Sequence, residues 1–343
     1  MYYLLYDLPH TRFAINAICF SQDGRLLASG DDEGYIRLFD FRLGKELRRV
    51  RVLTSVTSLL WHPNKPGVIF IGDARGSVTV MNLHAEHPEA YRLRTGVNAP
   101  AESLAYDTCN GCLAVAVGTD IILFDRSEDP WTFGVNVPPP PMIKAGSVDH
   151  DEVLLPLPRV LKFSDDGRSL LAVYFEHGIV SWLIESLEPE WSIWPTIRRV
   201  QPFRGGACFS ADGRNVVVSN LRDGFDCYDI SDGRHLANIP TPIIHNVPLP
   251  SLFIEDDPSI LCGSSCGYVL LYSRDMKNVR QVLRHGEHDI IQALVCFSCC
   301  ISVWTSADPS EKAYCKCEAR FIATASSEAS SDNYVRIWRA RSS

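Results

Sequence analysis

The feature that most constrains this chain is a phrase that recurs with fixed internal spacing. FSQDGRLLA begins at Phe20, returns as FSDDGRSLLA from Phe163 and again as FSADGRNVVV from Phe209. An aromatic residue closes the apolar run before each turn: Phe20, Trp61, Tyr106, Phe163, Phe209, Phe253 and Phe297, in steps of 41, 45, 57, 46, 44 and 44 residues. A second landmark follows at Phe39, Met81, Phe124, Trp182, Tyr228, Tyr272 and Trp338, which lie 19, 20, 18, 19, 19, 19 and 41 residues after the first. Two independent landmarks thus mark seven units, six of which agree to within two residues. Self-similarity at a fixed period decides the architecture before any single element does.

Each unit reads as β structure. INAICF and RLLAS are short apolar runs separated by Asp23-Gly24, and Asp-Gly suits the positive φ values of a tight primed turn. A second turn, GDDEG, leads into YIRLFD, where Tyr35, Arg37 and Phe39 alternate with Ile36, Leu38 and Asp40 as in a strand with two unlike faces. Three antiparallel strands in the 26 residues from Ile15 to Asp40 leave little room for helix. Further turn signals stand at Asn64, Asn110, Asp166, Asp212 and Asp256.

The FSxDG turns, LFD at Leu38 and Leu123, CYD at Cys227 and RIW at Arg336 resemble the WD-repeat family over nearly the whole chain. The resemblance implies an all-β fold: a seven-bladed β-propeller of four-stranded antiparallel blades, with strands a to d running from channel to rim. The blades are expected at about 13–52, 54–95, 100–138, 158–198, 205–240, 249–284 and 290–340, as one domain over 1–343. The last unit ends at VRIWRARSS without a fourth strand, and YYLLYDL from Tyr2 to Leu8 belongs to no unit. An N-terminal strand at about 2–8 is therefore expected to close the last blade, removing an open sheet edge.

Composition narrows the function. A formal charge of −8 argues against a general nucleic-acid surface, which concentrates Lys and Arg. No run of 18 apolar residues suggests a membrane span, and MYYLLYDLPHTR lacks the basic start of a signal peptide. Twelve cysteines without an export signal read as reduced thiols, so a cytoplasmic or nuclear compartment is expected. Two segments break the period. One holds NVPPPPMIKAGSVDHDEVLLPLP between Phe124 and Phe163 and belongs with the d–a loops. The other, Cys299 to Glu318, replaces the a–b turn of blade 7; it is either a structured insertion or a splice artefact.

The remaining constellations each admit a structural and a functional reading. In the family, a His before strand a, an Asp in the b–c turn and a Trp in strand c share a buried hydrogen-bond network. Here that implies His288, Asp332 and Trp338, with Ser326 as a fourth member and catalysis by His288 and Asp332 as the rival reading. Blade 1 matches in part, with His10, Asp32 or Glu33, and Phe39 in place of Trp. Cys109 and Cys112 flank a tight turn, and Cys299, Cys300, Cys315 and Cys317 could supply four zinc ligands; free thiols are the simpler account, and no metal or cofactor is assigned. HAEH at His84 and HGEH at His285 are loop histidines. The basic run RLGKELRRVRV is either a charged edge that blocks strand addition or a seat for an acidic partner. PPPP at Pro138 is either a rigid loop or a polyproline II ligand. The stretch Leu26 to Arg42 is similar to the box of WD-repeat substrate receptors of cullin–RING ubiquitin ligases. That box ends in Trp-Asp-x-Arg; here Asp40 and Arg42 are kept and Phe39 replaces Trp.

No nucleophile–base set, phosphate-cradling loop or dinucleotide fingerprint is in register with the blades. The chain is therefore read as a non-catalytic interaction scaffold for a protein or peptide partner, with no nucleic acid and no membrane, as a monomer or in a hetero-complex. A ligase substrate receptor and a propeller enzyme are the alternatives. Asp32, Arg75, Phe175, Arg222 and Asp223 fall in b–c turns that combine aromatics, arginines and carboxylates, the side chains that anchor interfaces. They are expected on the partner face, with Arg75, Phe175 and Arg222 partly exposed.

Overall fold

The computed structural model describes residues 1–9, 11–85, 89–125, 134–141, 155–175, 177–193, 206–210, 212–254, 259–273, 275–286, 289–299, 319–327 and 333–341. These form seven four-stranded antiparallel sheets. Blade 1 has strands a to d at Ile15–Phe20, Leu26–Asp31, Tyr35–Asp40 and Lys45–Arg51. Blade 2 has Val56–Trp61, Val68–Asp73, Ser77–Asn82 and Ala90–Arg94; blade 3 has Ala101–Tyr106, Leu113–Val117, Asp120–Phe124 and Asn136–Val137. Blade 4 has Pro158–Phe163, Ser169–Tyr174, Gly178–Leu183 and Pro189–Ile193; blade 5 has Ala207–Phe209, Asn215–Ser219, Gly224–Asp229 and His235–Pro240. Blade 6 has Ser251–Phe253, Ile260–Gly263, Tyr268–Tyr272 and Val279–Arg284; blade 7 has Ile291–Cys299, Ala319–Ser326 and Val335–Ala340. Each strand a packs against the strand a of the next blade, from blade 1 to blade 7 and back to blade 1, which closes the ring.

The outer strand of blade 7 is Tyr2–Asp7, antiparallel to Val335–Ala340, as the unassigned N-terminal run predicts. Leu4 faces Trp338, and Asp7 faces Arg336 across the ladder, where the guanidinium Nε donates to the Asp7 carboxylate at 2.8 Å. Beyond the strand, the Leu8 N–H donates to the Val335 carbonyl at 2.8 Å. The Tyr2 N–H donates to Gln281 Oε1 at 2.7 Å, while the Gln281 amide returns a bond to the Tyr2 carbonyl, tying the closing strand to blade 6.

The constant spacing of the two landmarks has a geometric cause. In six blades they flank one residue of strand b on a single rung: Phe20–Leu27–Phe39, Trp61–Ile69–Met81, Tyr106–Leu113–Phe124, Phe163–Leu170–Trp182, Phe209–Val216–Tyr228 and Phe253–Ile260–Tyr272. A one-residue slip would turn every side chain to the opposite face, so the spacing is held. In blade 7, Trp338 shares its rung with Ile322 and Cys296 instead, one residue removed from Phe297.

The core is divided among the junctions between blades. Among the described residues seven buried apolar clusters occur, one at each junction. Strands b and c are sandwiched between neighbours and buried on both faces, which corrects the expectation of two unlike faces for YIRLFD. Ile36 and Leu38 pack toward blade 2, Phe39 packs toward blade 7, and even Arg37 is only 8% exposed. Burying a side chain the size of Trp182 or Phe39 contributes about 2–3 kcal/mol. The alternation appears one strand further out, where Lys45–Arg51 alternates exposed and half-buried.

The Asp-Gly turns also differ from the primed hairpin read from sequence. Only the glycine takes a positive φ, +59° at Gly24, +69° at Gly167 and +67° at Gly213. The loop is longer: the Gly24 N–H donates to the Ser21 carbonyl at 2.9 Å, and the Ser21 N–H to the Leu26 carbonyl at 2.9 Å. The aspartate serves as a cap, accepting the serine hydroxyl at 2.6 Å in Ser21–Asp23, Ser164–Asp166 and Ser210–Asp212. That serine bond, with the N–H two residues on, holds the Asp166 and Asp212 carboxyls below the usual carboxylate range. FSxDG is thus a Ser–Asp turn lock, with Gly supplying the left-handed residue.

Candidate functional site

Strand a starts beside the end of strand b, as in the pairs Ile15–Asp31, Val56–Asp73, Ala101–Val117, Pro158–Tyr174 and Ile291–Ser326. The b–c turns and the starts of the innermost strands therefore share one face. A polar side chain at or just after the end of strand b shapes several of these turns. Asp31 Oδ1 accepts the N–H groups of Glu33 at 3.1 Å and Tyr35 at 2.9 Å, and Asp73 Oδ1 those of Arg75 at 2.9 Å and Ser77 at 3.0 Å. Asn220 Oδ1 accepts from Arg222 at 3.0 Å and Asp223 at 3.1 Å, and Ser264 Oγ from Tyr268 at 3.0 Å. The turns are rigid, and their tips point outward for other uses.

Of the five residues expected on the partner face, all lie in or beside these turns, in two groups. Arg75 and Arg222 are exposed, and Phe175 is half-buried with the Arg159 guanidinium 5.5 Å from its ring centre. Asp32 and Asp223 are exposed but held internally. Asp32 Oδ1 accepts from Asn16 Nδ2 at 2.6 Å and Ser55 Oγ at 3.2 Å; Asp223 Oδ1 accepts from the amides of Asn220 at 2.8 Å and Asn238 at 3.1 Å. His177 in the same turn of blade 4 is buried beside Tyr174.

The sequence reading missed a second set. Strand a skips register between its first and third residues in blades 1, 2, 3, 4 and 7. The extra residue is Asn16, Thr57, Glu102, Arg159 or Gln292, polar every time. A bulge re-aims the side chain it carries. Three of these reach the following blade: Asn16 Nδ2 donates to the Val56 carbonyl at 3.0 Å, Thr57 Oγ1 to the Ala101 carbonyl at 2.7 Å, and Glu102 pairs with Arg159 at 2.8 Å. The result is a polar collar on the innermost strands, with Glu102, Arg159 and Phe175 adjoining. The signal was present in INAICF, VTSLLW, AESLAY, PRVLKF and IQALVC, each with a polar residue second.

A buried polar network in blade 7 is built around Thr324, which the sequence reading did not include. His288 and Asp332 lie outside the described residues. Trp338 Nε1 donates to Thr324 Oγ1 at 2.9 Å, and the same hydroxyl lies 2.6 Å from His285 Nε2. His285 stacks on Tyr334 with centroids 5.4 Å apart, and its Nδ1 is 3.8 Å from Asp289 Oδ2. Tyr334 donates its hydroxyl to Asp289 Oδ2 at 2.6 Å, and Ser326 Oγ accepts the Tyr334 N–H at 3.1 Å. Burial, reinforced by the nearby Arg336 cation, lowers the His285 imidazole to about 3, so it is neutral at physiological pH.

Asp40 accepts the N–H groups of Arg42 at 3.0 Å and Leu43 at 3.1 Å and so caps the c–d turn on the opposite face; Arg42 is exposed, and Phe39 fills the core at 1% exposure. Cys109 is exposed, and burial pushes the Cys112 thiol up to about 12. Cys300, Cys315 and Cys317, and the side chain of Cys299, lie outside the described residues. Among the described residues no group of three His, Cys, Asp or Glu side chains is placed to hold a metal ion.

Residues 3–40 match the WD domain, G-beta repeat family (WD40), a span that runs from the closing strand through strands a, b and c of blade 1. No curated protein matches the chain. The matched repeat begins in the outer strand of one blade and ends in the next, and the same four-stranded unit recurs around a ring sealed by the N-terminal strand. The chain is a seven-bladed β-propeller whose first repeat matches the WD40 family.

Proposed function

We propose that this propeller is a non-catalytic interaction scaffold that takes a protein or peptide partner on the face of the b–c turns, around the collar of its innermost strands. The observation that carries the reading is the cluster of Glu102, Arg159 and half-buried Phe175 on that collar, with exposed Arg75 and Arg222 at nearby turn tips. Arginine and aromatic side chains are the common anchors of interfaces, and rigid turns limit the entropy lost on binding. The ion pair offers both signs of charge to a peptide backbone or side chain. Binding is preferred to turnover because the polar groups most like catalytic ones have structural partners: His285 sits neutral against Thr324, and Asp31 and Asp73 cap turns. Asp40, the carboxylate on which a ligase-receptor reading depends, is engaged by turn backbone. A cytoplasmic or nuclear location is part of the proposal. It is supported by free thiols at Cys208, Cys227 and Cys262, which share the core between blades 5 and 6 without a disulfide.

The test uses the chain and a variant carrying Arg75→Ala, Phe175→Ala and Arg222→Ala as baits in extract from the native organism. A partner retained by the first and bound at least tenfold more weakly by the second, with circular dichroism unchanged, is expected. Equal affinity for both baits would move the site to the rim or the opposite face.

A further inference from the structure

The segment that ends blade 3 carries a pattern that neither the sheet nor the proposed partner face accounts for. Strand d there is short: among the described residues Asn136–Val137 joins the ladder, opposite Ile121 and Ile122, with the Leu123 N–H donating to the Val135 carbonyl at 3.1 Å. Gly134 lies so close to strand c that an added Cβ would fall 1.5 Å from the Leu123 carbonyl oxygen, which fixes where the segment meets the sheet. From there burial follows a period of three. Gly134 is half-buried, Val137 and Pro140 are buried, and Val135, Asn136, Pro138, Pro139 and Pro141 are exposed. Val137 is seated in the core between blades 3 and 4.

A period of three is that of the polyproline II helix, and covalent geometry enforces it from Val137 onward. Each proline has φ locked, and Val137, Pro138, Pro139 and Pro140 all precede a proline and so are pushed to the extended region. A three-per-turn helix is a triangular prism. One edge, Gly134–Val137–Pro140, lies against the propeller. The other two, Val135–Pro138–Pro141 and Asn136–Pro139, point outward.

We propose that this prism is a docking ligand for a protein module with an aromatic-lined polyproline groove. Such grooves grip two edges of a polyproline II helix, and two edges are what this segment exposes. The ligand is already ordered, so little conformational entropy is lost on binding. Residues 134–141 carry no charged side chain, so the recognition this segment itself supplies is that of bare proline.

The experiment titrates the full-length protein with an isolated EVH1 domain and an isolated WW domain, read by fluorescence anisotropy. A variant carrying Pro138→Ala, Pro139→Ala and Pro141→Ala, which leaves buried Pro140 in place, is run in parallel. At least one domain is expected to bind the wild type, to be displaced by octaproline and to bind the variant at least tenfold more weakly. Failure of both domains to bind at millimolar concentration, or binding unchanged in the variant or by octaproline, would overturn the proposal.

Discussion

Replacing Thr324 by Val tests whether the polar core of blade 7 holds the ring together. Thr324 is fully buried, accepts the Trp338 N–H at 2.9 Å and stands 2.6 Å from His285 Nε2. Valine has nearly the same shape, so packing is preserved and only the hydroxyl is lost. Two buried polar groups are then left without their partner, at about 1–3 kcal/mol each, for a loss of roughly 3–4 kcal/mol. With an unfolding entropy of about 2.1 cal/mol/K per residue, a chain of this size loses about 1.4 °C of Tm per kcal/mol, so a drop of about 5 °C is expected. Thr324→Ser keeps the hydroxyl and removes one methyl, about 1 kcal/mol, and should cost about 1–2 °C. Calorimetry of both variants and of Trp338→Phe, alone and combined with Thr324→Val, gives the pairwise coupling. A valine variant as stable as the serine variant, or a coupling near zero, would refute the idea that this hydroxyl organises the blade.

Two further outcomes follow from the buried groups. His285 titrates at about 3 in the fold against an ordinary value of 6.5, so the unfolded chain binds its proton more readily. Its contribution is complete above pH 6.5 and falls as pH drops toward 3, by about 2 kcal/mol between pH 7 and pH 5. His285→Gln should reduce the fall in Tm over that interval, and an identical fall in both proteins would rule the histidine out as its source. Burial also pushes the Cys208 and Cys227 thiols up to about 12, whereas Cys109 is exposed. Iodoacetamide with peptide mass mapping should therefore modify Cys109 in the native protein well before Cys208 or Cys227, and equal rates would contradict their placement in the core.

The architecture was legible because its two landmarks are mechanically linked. Phe163 and Trp182 flank Leu170 on one rung, so neither can move along the sequence without turning its strand over. Closure was legible for a related reason: Val335–Ala340 needs a partner on its outer side, and Tyr2–Leu8 was the strand-like run left without a unit. The number of polar faces was not legible. Alternation in YIRLFD suggested a solvent side, but a strand pressed between two neighbouring blades buries both faces, and Arg37 follows its strand inward with Glu46 at 3.9 Å. Periodicity describes one sheet; the second layer of burial comes from its neighbours.

The residues proposed for the partner face separate along the same line. Turn-tip residues such as Arg75 and Arg222 could be placed from sequence because a polar residue and a following glycine frame the turn, as in DARG at Asp73 and NLRDG at Asn220, and the tip follows from it. The collar could not, because a bulge is a property of two strands in register. Asn16, Thr57, Glu102, Arg159 and Gln292 look in one dimension like polar residues that alternation would put on an ordinary strand face. Only when Ile15 and Ala17 are seen to face consecutive residues, Asp31 and Gly30, does the residue between them become an extra one with its own direction. Thr324 was hidden for the same reason, as one Thr among the small residues of FIATAS until Trp338 on one side and His285 on the other converge on its hydroxyl. The polar residues that matter most in this propeller are those whose role exists only between strands. A residue second in a first strand, or midway along a second strand, is therefore worth reading beside the turn motif that first reveals such a repeat.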